Sequence, residues 1–380
     1  MTSTEQRLAA LRGRVAPRRH NARTIAALTG NPGCTRRAVL DSAGIDKQRI
    51  AAHVGYPGRF GQSQFAITRG NAFEARVKEN GCAELLDLLR QRLGVPIPEA
   101  SYDDLAGPPA TDIVQPAVDG GNAERHARSM ELLVRAATDA GPTSTLFDHP
   151  MLRLDVAGRP VYLEPDLIAL QIGGRFHVVE IKSFAVIDEQ ADAAKVAAAA
   201  TQSAVYVLAM RGMLEQAGLD PEIVSHEVVL VCPRDFANQP TAALIDVRKQ
   251  LSTLRRQLTR MARVDDLLVG LPADLSFDLA AGADGVPTRS PAELAAALST
   301  VDARYAPECL SACELSYFCR YEARTGTAAL GRPVRDALGG IDSVETVLAL
   351  AAGEIEPDDD QVEAALRLRT AARLRAEAFA

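Results

Sequence analysis

The stretch from residue 152 to residue 183 constrains the fold of this chain more than any other part. It contains two β-rich apolar runs, 161–172 and 176–181, on either side of Gly173 and Gly174. Two such runs joined at paired glycines are typical of a β-hairpin. A sheet therefore forms in the middle of the chain, and the remaining elements must pack around it.

The segments around this hairpin predict an α/β core. A Gly-Asn-Pro-Gly sequence at 30–33 predicts a turn, and residues 94–121, rich in Pro, Gly and Asp, predict an exposed connection. The other expected elements are helices over about 71–93, 122–140, 189–217 and 241–264, and a strand over 226–232. The last of these helices is basic, and the third is rich in alanine, the strongest helix former.

Composition excludes some classes of protein. Apolar residues make up 47% of the chain and charged residues 24%, which is ordinary for a globular protein. We expect no membrane span, because no apolar run approaches ~20 residues, and no secretory signal, because the first 23 residues carry six arginines without an apolar stretch. The default expectation is a cytoplasmic protein. A net charge of −7 argues against indiscriminate nucleic-acid binding. The clusters of arginines are nevertheless compatible with a groove that is locally basic.

Three charged residues near the hairpin predict a divalent-cation site. Asp166 precedes the apolar part of the first run, and Glu180 and Lys182 end the second. Mg²⁺ favours one or two carboxylates and keeps waters for a substrate. Lys182 follows Glu180 by two residues, so both face the same side of a strand, where the ammonium can orient water or stabilise phosphate charge. An ordinary exposed hairpin is the alternative, but an unpaired charge in an apolar run is costly.

This site depends on the register of the hairpin. A two-residue turn would pair Asp166 with Ile181 and separate the carboxylates, whereas a shift of one residue pairs Asp166 with Glu180 or Lys182. We predict that shift, through a three-residue loop or a bulge with a left-handed glycine. It also gives the site an apolar floor of Ile168, Leu170, Phe176 and Val178.

These motifs resemble a known family. Pro165-Asp166 with Glu180-Ile181-Lys182 matches the signature of the PD-(D/E)xK nucleases, and Gln202-Ser-Ala-Val-Tyr206 matches the Gln-x-x-x-Tyr motif of their RecB-type branch. The resemblance implies that Gln202 and Tyr206, on one helix face, support the metal site and the DNA strand. It also implies metal ligation by Asp166, Glu180 and the Ile181 carbonyl.

The same branch carries a helix with a glycine and an acidic or histidine ligand before the sheet. Arg69-Gly70-Asn-Ala-Phe73-Glu74 fits that place. Glu74 stands where many relatives have histidine, and a glutamate is a competent ligand for a hard cation. Glu74 is therefore the third expected metal ligand, with a surface helix glutamate as the alternative.

Six cysteines in a cytosolic chain argue against disulfides. Cys82 and Cys232 have apolar neighbours, which predicts burial. The other four are Cys34 and the series Cys309, Cys313 and Cys319. Four thiolates bind either a 4Fe–4S cluster or zinc, and spacing does not separate these two or exclude free thiols.

The family resemblance favours the iron–sulfur cluster. RecB-type nuclease subunits and CRISPR-associated exonucleases place one cluster cysteine before the nuclease core and three after it. This chain departs from their common spacing, with three residues rather than two between Cys309 and Cys313. The cluster would fasten the N-terminal and C-terminal segments beside the core and restrict the unfolded chain.

Together these observations predict a restriction-endonuclease-like α/β fold, a small mixed sheet flanked by helices, with a helical iron–sulfur subdomain formed by the two ends of the chain. The expected segments are 1–60, with the first cluster cysteine; 61–265, the nuclease core; 266–325, with three cluster cysteines; and 326–380, a helical acidic tail. The resemblance covers about residues 30–320.

The predicted function is a Mg²⁺- or Mn²⁺-dependent deoxyribonuclease acting on single-stranded DNA or DNA ends, as an exonuclease rather than an endonuclease. The resemblance also implies a helicase or a defence or repair partner. Two alternatives remain: a non-catalytic DNA-binding or scaffold protein that keeps the fold, and a zinc-stapled interaction protein.

Overall fold

A computed structural model of the chain describes residues 3–58, 64–93, 100–106, 119–138, 144–157, 159–172, 174–235, 237–282 and 285–379. The chain forms two compact units. One, here called the sheet unit, comprises Arg19–Thr29 and Gly61–Arg263. The other, the cysteine unit, comprises Met1–Arg18, Gly30–Phe60 and Val264–Ala380, so that the first and last segments of the chain fold together.

The elements are as follows. The strands are β1 (Ala100–Asp104), β2 (Ser144–Asp148), β3 (Leu152–Val156), β4 (Arg159–Leu163), β5 (Leu167–Ile172), β6 (Arg175–Ile181), β7 (Glu227–Pro233) and β8 (Pro240–Asp246). The α-helices of the described residues are α1 (Ser3–Arg12), α2 (Ala22–Ala27), α3 (Thr35–Ala43), α4 (Lys47–His53), α5 (Gln64–Leu93), α6 (Asp119–Thr138), α7 (Ala193–Gln216), α8 (Arg248–Ala262), α9 (Val264–Leu268), α10 (Pro291–Ser299), α11 (Cys309–Ala312), α12 (Ser316–Glu322), α13 (Arg332–Ala337), α14 (Val344–Ala352) and α15 (Val362–Ala378).

The sheet unit is built on a mixed six-stranded sheet in the order β1-β2-β5-β6-β7-β8. Strands β1/β2 and β6/β7 pair in parallel, and the other neighbours are antiparallel. The hairpin β3–β4 forms a separate two-stranded sheet. The predicted mixed α/β class, with a mixed central sheet flanked by helices, is confirmed.

Each face of the sheet has its own apolar core. On one face Ile168, Phe176 and Val178 pack with side chains of α7 and α8. On the other, residues that alternate with these, including Leu167 and Val179, pack with α5. The alternation follows from the period of two along a strand, and it produces a three-layer arrangement in which helices cover both faces.

The predicted register shift is confirmed, and a bulge produces it. Next to the turn, Ile172 pairs with Arg175, as a two-residue loop requires, but Leu167 pairs with Val179. One extra residue of β5 lies between Ala169 and Ile172, and Gly174 is left-handed at φ +76°. Gly173 and the side chain of Leu170 lie outside the described residues.

Three predicted boundaries are wrong. The basic helix was expected from residue 241, but Pro240–Asp246 is strand β8 and the helix begins at Arg248. The exposed connection contains strand β1; its segments 94–99 and 107–118 lie outside the described residues. The helix predicted over 71–93 begins at Gln64 and is interrupted at residues 79–82, where Asn80 and Gly81 are left-handed, a conformation that glycine and asparagine tolerate best.

Helix α7 is long and apolar enough to cross a membrane by length and composition alone, and half of its most apolar window is buried inside the protein. Its Val205, Met210 and Leu214 are fully buried in the core shared with the sheet. Within the described residues, α7 is thus the central helix of the sheet unit.

The cysteine unit is helical and has its own core, in which Leu8, Val39 and Leu298 are among the buried side chains. Its last two helices, α14 and α15, form a smaller cluster with Ile341 around Leu350. Arginines of the N-terminal arm are engaged within this unit: Arg12 donates to the Ala43 carbonyl and Arg14 pairs with Asp278 at 3.0 Å. Both arginines therefore contact residues of their own unit.

Candidate functional site

The site begins where β5 and β6 meet at the end of the hairpin. Continuing the Leu167–Val179 pairing by one residue sets Asp166 opposite Glu180, and directly opposed residues of antiparallel strands point to the same face. The Ile181 amide donates a hydrogen bond to Asp166 Oδ2 at 2.8 Å. The backbone of β6 thus fixes the position of the Asp166 carboxylate.

Glu180 is the most deeply buried acidic residue of the site, at 0% exposure. Burial, and then the neighbouring charge of Asp166, raise its pKa to about 8. Its Oε1 pairs with the Lys182 ammonium, and its Oε2 has no hydrogen-bond partner. A buried carboxylate oxygen without a partner is costly, and a cation bound to it would remove that cost.

Lys182 lies just beyond the end of β6, and its amide donates to the Val231 carbonyl at 2.9 Å. Burial opposes the charge on its ammonium, but the carboxylates of Glu180 and Asp166 raise its pKa. The ammonium therefore faces both carboxylates, as the spacing of Glu180 and Lys182 predicted. Ile181 lies between them, with its side chain buried in the core under α5.

Glu74, on α5, is near enough to act on this group. Its negative charge contributes to the raised pKa of both Asp166 and Glu180, in which burial is the largest cause. Glu74 Oε1 accepts hydrogen bonds from Lys78 Nζ at 2.5 Å and contacts His149 Nε2 at 3.1 Å. It is a partly buried, engaged carboxylate rather than a free surface glutamate.

A neighbouring network was missed by the sequence analysis. Lys78 reaches Asp148 Oδ1 at 2.6 Å, His149 Nδ1 lies 2.9 Å from the same oxygen, and Tyr102 donates to Asp148 Oδ2. His149 is left-handed at φ +50°, a conformation that costs a non-glycine residue ~1 kcal/mol or more. Lys78 could have been found from its position four residues after Glu74 on one helix face.

A second group of potential ligands, Asp104, Asp148 and His149, has its ligand atoms within 4.8 Å of one another. Both oxygens of Asp148 are already used, however, by Lys78 and Tyr102. Contacts with Asp148 and Glu74 raise the pKa of His149 to about 10, so two positive side chains adjoin the group. The pair Asp166 and Glu180, with its unpartnered oxygen, suits a divalent cation better.

The predicted Gln-x-x-x-Tyr motif lies on α7. Gln202 Nε2 donates to the Tyr206 hydroxyl at 3.2 Å. Tyr206 is buried, and burial, followed by the charge of Glu180, raises its pKa well above the ordinary value. The charge of Asp166 contributes to the same rise.

The four candidate cluster cysteines all belong to the cysteine unit. Cys34 is the residue that precedes α3, Cys309 begins α11, Cys313 directly follows α11, and Cys319 lies in α12. The predicted turn before Cys34 is present, and Gly30 packs so closely on Ala312 that a Cβ there would come within 2.7 Å of the alanine side chain. This close approach brings the Cys34 segment against the Cys309–Cys313 segment.

Polar donors surround these sulfurs. Asn31 donates to Cys309 Sγ at 3.1 Å, and Arg36 donates to Cys319 Sγ at 3.2 Å. Burial raises the pKa of the Cys319 thiol to about 12, although Arg36 opposes the rise, and burial raises the pKa of Cys313, opposed by Lys47. The cations Arg36 and Lys47 favour the thiolate, the form that binds metals, whereas burial favours the neutral thiol and has the larger effect.

The predicted burial of the remaining two cysteines is confirmed, at 0% exposure for Cys82 and 1% for Cys232. Burial raises the pKa of each thiol to about 12. They lie in apolar clusters of the sheet unit, which indicates a packing role.

No protein-family model matches the chain, and no curated protein matches it in sequence.

Proposed function

We propose that this chain is a Mg²⁺- or Mn²⁺-dependent nuclease of the PD-(D/E)xK type that hydrolyses phosphodiester bonds of DNA, on single strands or ends. The observation that carries the proposal is the buried Glu180 carboxylate opposite Asp166, with one oxygen unpartnered and Lys182 on the same side. A buried acidic pair of this kind is costly to a fold and is expected at functional sites.

The ligands in this proposal are Asp166, Glu180 and Glu74, with the carbonyl of Ile181 as a further donor. The chemistry that a divalent cation would supply there is polarisation of the phosphoryl oxygen and a lower pKa for a bound water. Hydrolysis forms a new P–O bond from the oxygen of the attacking water, which releases one proton to solvent. It breaks the bond to the leaving oxygen, which takes up a proton from solvent.

The protein groups each have a part in this reaction. The Lys182 ammonium donates to the attacking water or to the phosphoryl oxygen on which negative charge develops. Ile181 holds Asp166 through its amide, and Gln202 holds the Tyr206 hydroxyl beside the carboxylates. In the cysteine unit, Cys34, Cys309, Cys313 and Cys319 would bind a structural 4Fe–4S cluster, which fastens the two ends of the chain.

Cleavage of 5′- and 3′-labelled single-stranded DNA with Mg²⁺ or Mn²⁺ tests the proposal. We expect Lys182→Ala to lower the rate by roughly 100-fold or more, because the group acts on charge that develops in the transition state. Lys195→Ala, an exposed lysine on α7, is the matched control and should cleave like the wild type. Metal-independent cleavage, or equal rates for both lysine variants, would reject the nuclease.

A further inference from the structure

Helix α12 and the turn after it expose one stripe of aromatic and basic side chains. The stripe occupies one helical face, because its members are separated by three, one and three residues. They are Tyr317, Arg320, Tyr321 and Arg324. All four are exposed, with Tyr317 at 45% and Tyr321 at 48%. The next residues inward, Phe318 and Cys319, are buried, so the opposite face of the same helix anchors the stripe.

The Tyr321 ring is held in place by neighbours. The Arg324 guanidinium lies 3.9 Å from the centroid of the Tyr321 ring, and Arg324 donates to the Tyr321 carbonyl at 2.7 Å. Tyr56 packs on Tyr321 with ring centroids 5.2 Å apart. Large aromatic side chains exposed to water but fixed in position lose little entropy when a flat partner stacks on them.

The charge of the stripe is positive. In the described part of the chain, no ion pair involves Arg320 or Arg324, whereas the adjacent acidic residues are engaged inward. Glu322 pairs with the buried Arg36, and Glu314 lies 3.3 Å from the buried Lys47. Two arginines beside two tyrosines therefore face solvent without compensating carboxylates on the same face.

We propose that this stripe binds single-stranded DNA, with bases stacking on Tyr317 and Tyr321 and phosphates contacting Arg320 and Arg324. Aromatic platforms flanked by basic side chains are the general means of binding single strands without sequence preference. The proposal rests on the proposed function for the choice of DNA as the ligand. It adds a strand-binding surface in the cysteine unit, on the helix that carries Cys319.

Binding is measured on the full chain with its metal centre retained, at zero free Mg²⁺, using fluorescein-labelled oligo(dT) and an oligonucleotide containing 2-aminopurine. We expect Tyr317→Ala and Tyr321→Ala each to weaken binding by about 10-fold. Both should also reduce the quenching of 2-aminopurine, which reports stacking. Tyr317→Phe with Tyr321→Phe keeps the rings and should bind like the wild type.

The remaining variants separate stacking from charge and from folding. Arg320→Glu should weaken binding and lower the dependence of log K on log salt by roughly 0.7, the slope of one phosphate contact on a single strand. Leu366→Ala with Leu374→Ala, two exposed leucines of α15, is the control in the same unit and should not change binding.

Unchanged affinity and quenching in the tyrosine-to-alanine variants would overturn the stripe, and cleavage by the wild type would then leave the nuclease proposal intact. Altered oligomeric state in the same variants, with DNA binding unchanged, would assign the surface to protein contact and also overturn it. Stacking without metal-dependent cleavage would support the stripe and reject the nuclease.

Discussion

The Ile181 amide donates to Asp166 Oδ2 at 2.8 Å, so the backbone that follows one candidate ligand holds the other. Asp166→Asn keeps an oxygen that accepts this hydrogen bond but removes the charge. We therefore expect Asp166→Asn to lose cleavage and to unfold like the wild type. Asp166→Ala also leaves the buried Ile181 amide unpaired, which should lower the free energy of unfolding by about 1–3 kcal/mol. Urea unfolding of both variants measures this difference. Equal destabilisation of the two would contradict this role of the hydrogen bond.

Cation binding should stabilise the folded protein through Glu180. At a Mn²⁺ concentration about 100 times its Kd, a ligand that binds only the folded state adds about 2.7 kcal/mol to the free energy of unfolding. Glu180→Gln replaces one carboxylate oxygen with an amide nitrogen and removes the negative charge, so it should abolish the increase in Tm on addition of Mn²⁺. Glu227→Gln, an exposed glutamate of β7, should keep it. An unaltered Mn²⁺ response in Glu180→Gln would place the cation elsewhere.

The Asp148 carboxylate should make the free energy of unfolding depend on pH in the acidic range. Burial opposes its charge, but contacts with His149, Lys78 and Tyr102 lower its pKa from 3.8 to about 2, a difference of about 2 kcal/mol. A carboxyl whose pKa is lowered by folding contributes stability that is complete above its unfolded pKa and lost as the pH falls through the folded value.

The wild type should therefore exceed Asp148→Asn by about 2 kcal/mol at pH 7, and this difference should disappear near pH 2, as followed by denaturant unfolding at each pH. Asp104→Asn, the exposed neighbour, is the control and should follow the wild type. A difference that does not change with pH would show that the Asp148 charge has no part in the stability.

The metal content of the cysteine unit distinguishes the cofactors. Protein isolated without oxygen should be brown and contain about four irons per chain, as a 4Fe–4S centre requires. Cys319→Ser should lower the iron content and the free energy of unfolding, because ligation contributes to folding. Cys232→Ala, a buried cysteine of the sheet unit, should keep the iron. A content of about one zinc per chain and no iron would contradict the cluster and indicate a Cys₄ zinc site instead.

Sequence patterns predicted the elements whose periodicity is strong. The hairpin of β5 and β6, helix α6 and the alanine-rich α7 follow from runs long enough to distinguish a period of two from one of 3.6. The predicted run 161–172 is divided, because residues 161–163 end β4 and belong to the separate two-stranded sheet. Strand β8 was missed, because Thr241-Ala-Ala-Leu-Ile before a basic helix has a helical composition. Pairing with β7 along its whole length overrides that local preference.

Closeness in sequence explains why some of the neighbouring charged residues could be placed together from the sequence and others could not. Asp166, Glu180 and Lys182 lie within 17 residues of one another, so strand geometry alone brings them together. Lys78 and Asp148 are 70 residues apart, and only the packing of α5 against the end of β2 joins them. The left-handed His149 carries no local sequence signal, because asparagine and glycine, rather than histidine, are the usual residues there.

Because β5 has one extra residue between Ala169 and Ile172, the alignment of Asp166 with Glu180 depends on the number of residues in β5 as well as on their identity. Deleting one residue there would turn Asp166 away from Glu180, although every residue of the sequence motif would still be present. Libraries of substitutions never sample that state, whereas a library of single-codon deletions does. In such a library, single-residue deletions between Ala169 and Ile172 should leave the protein folded and abolish the proposed cleavage activity.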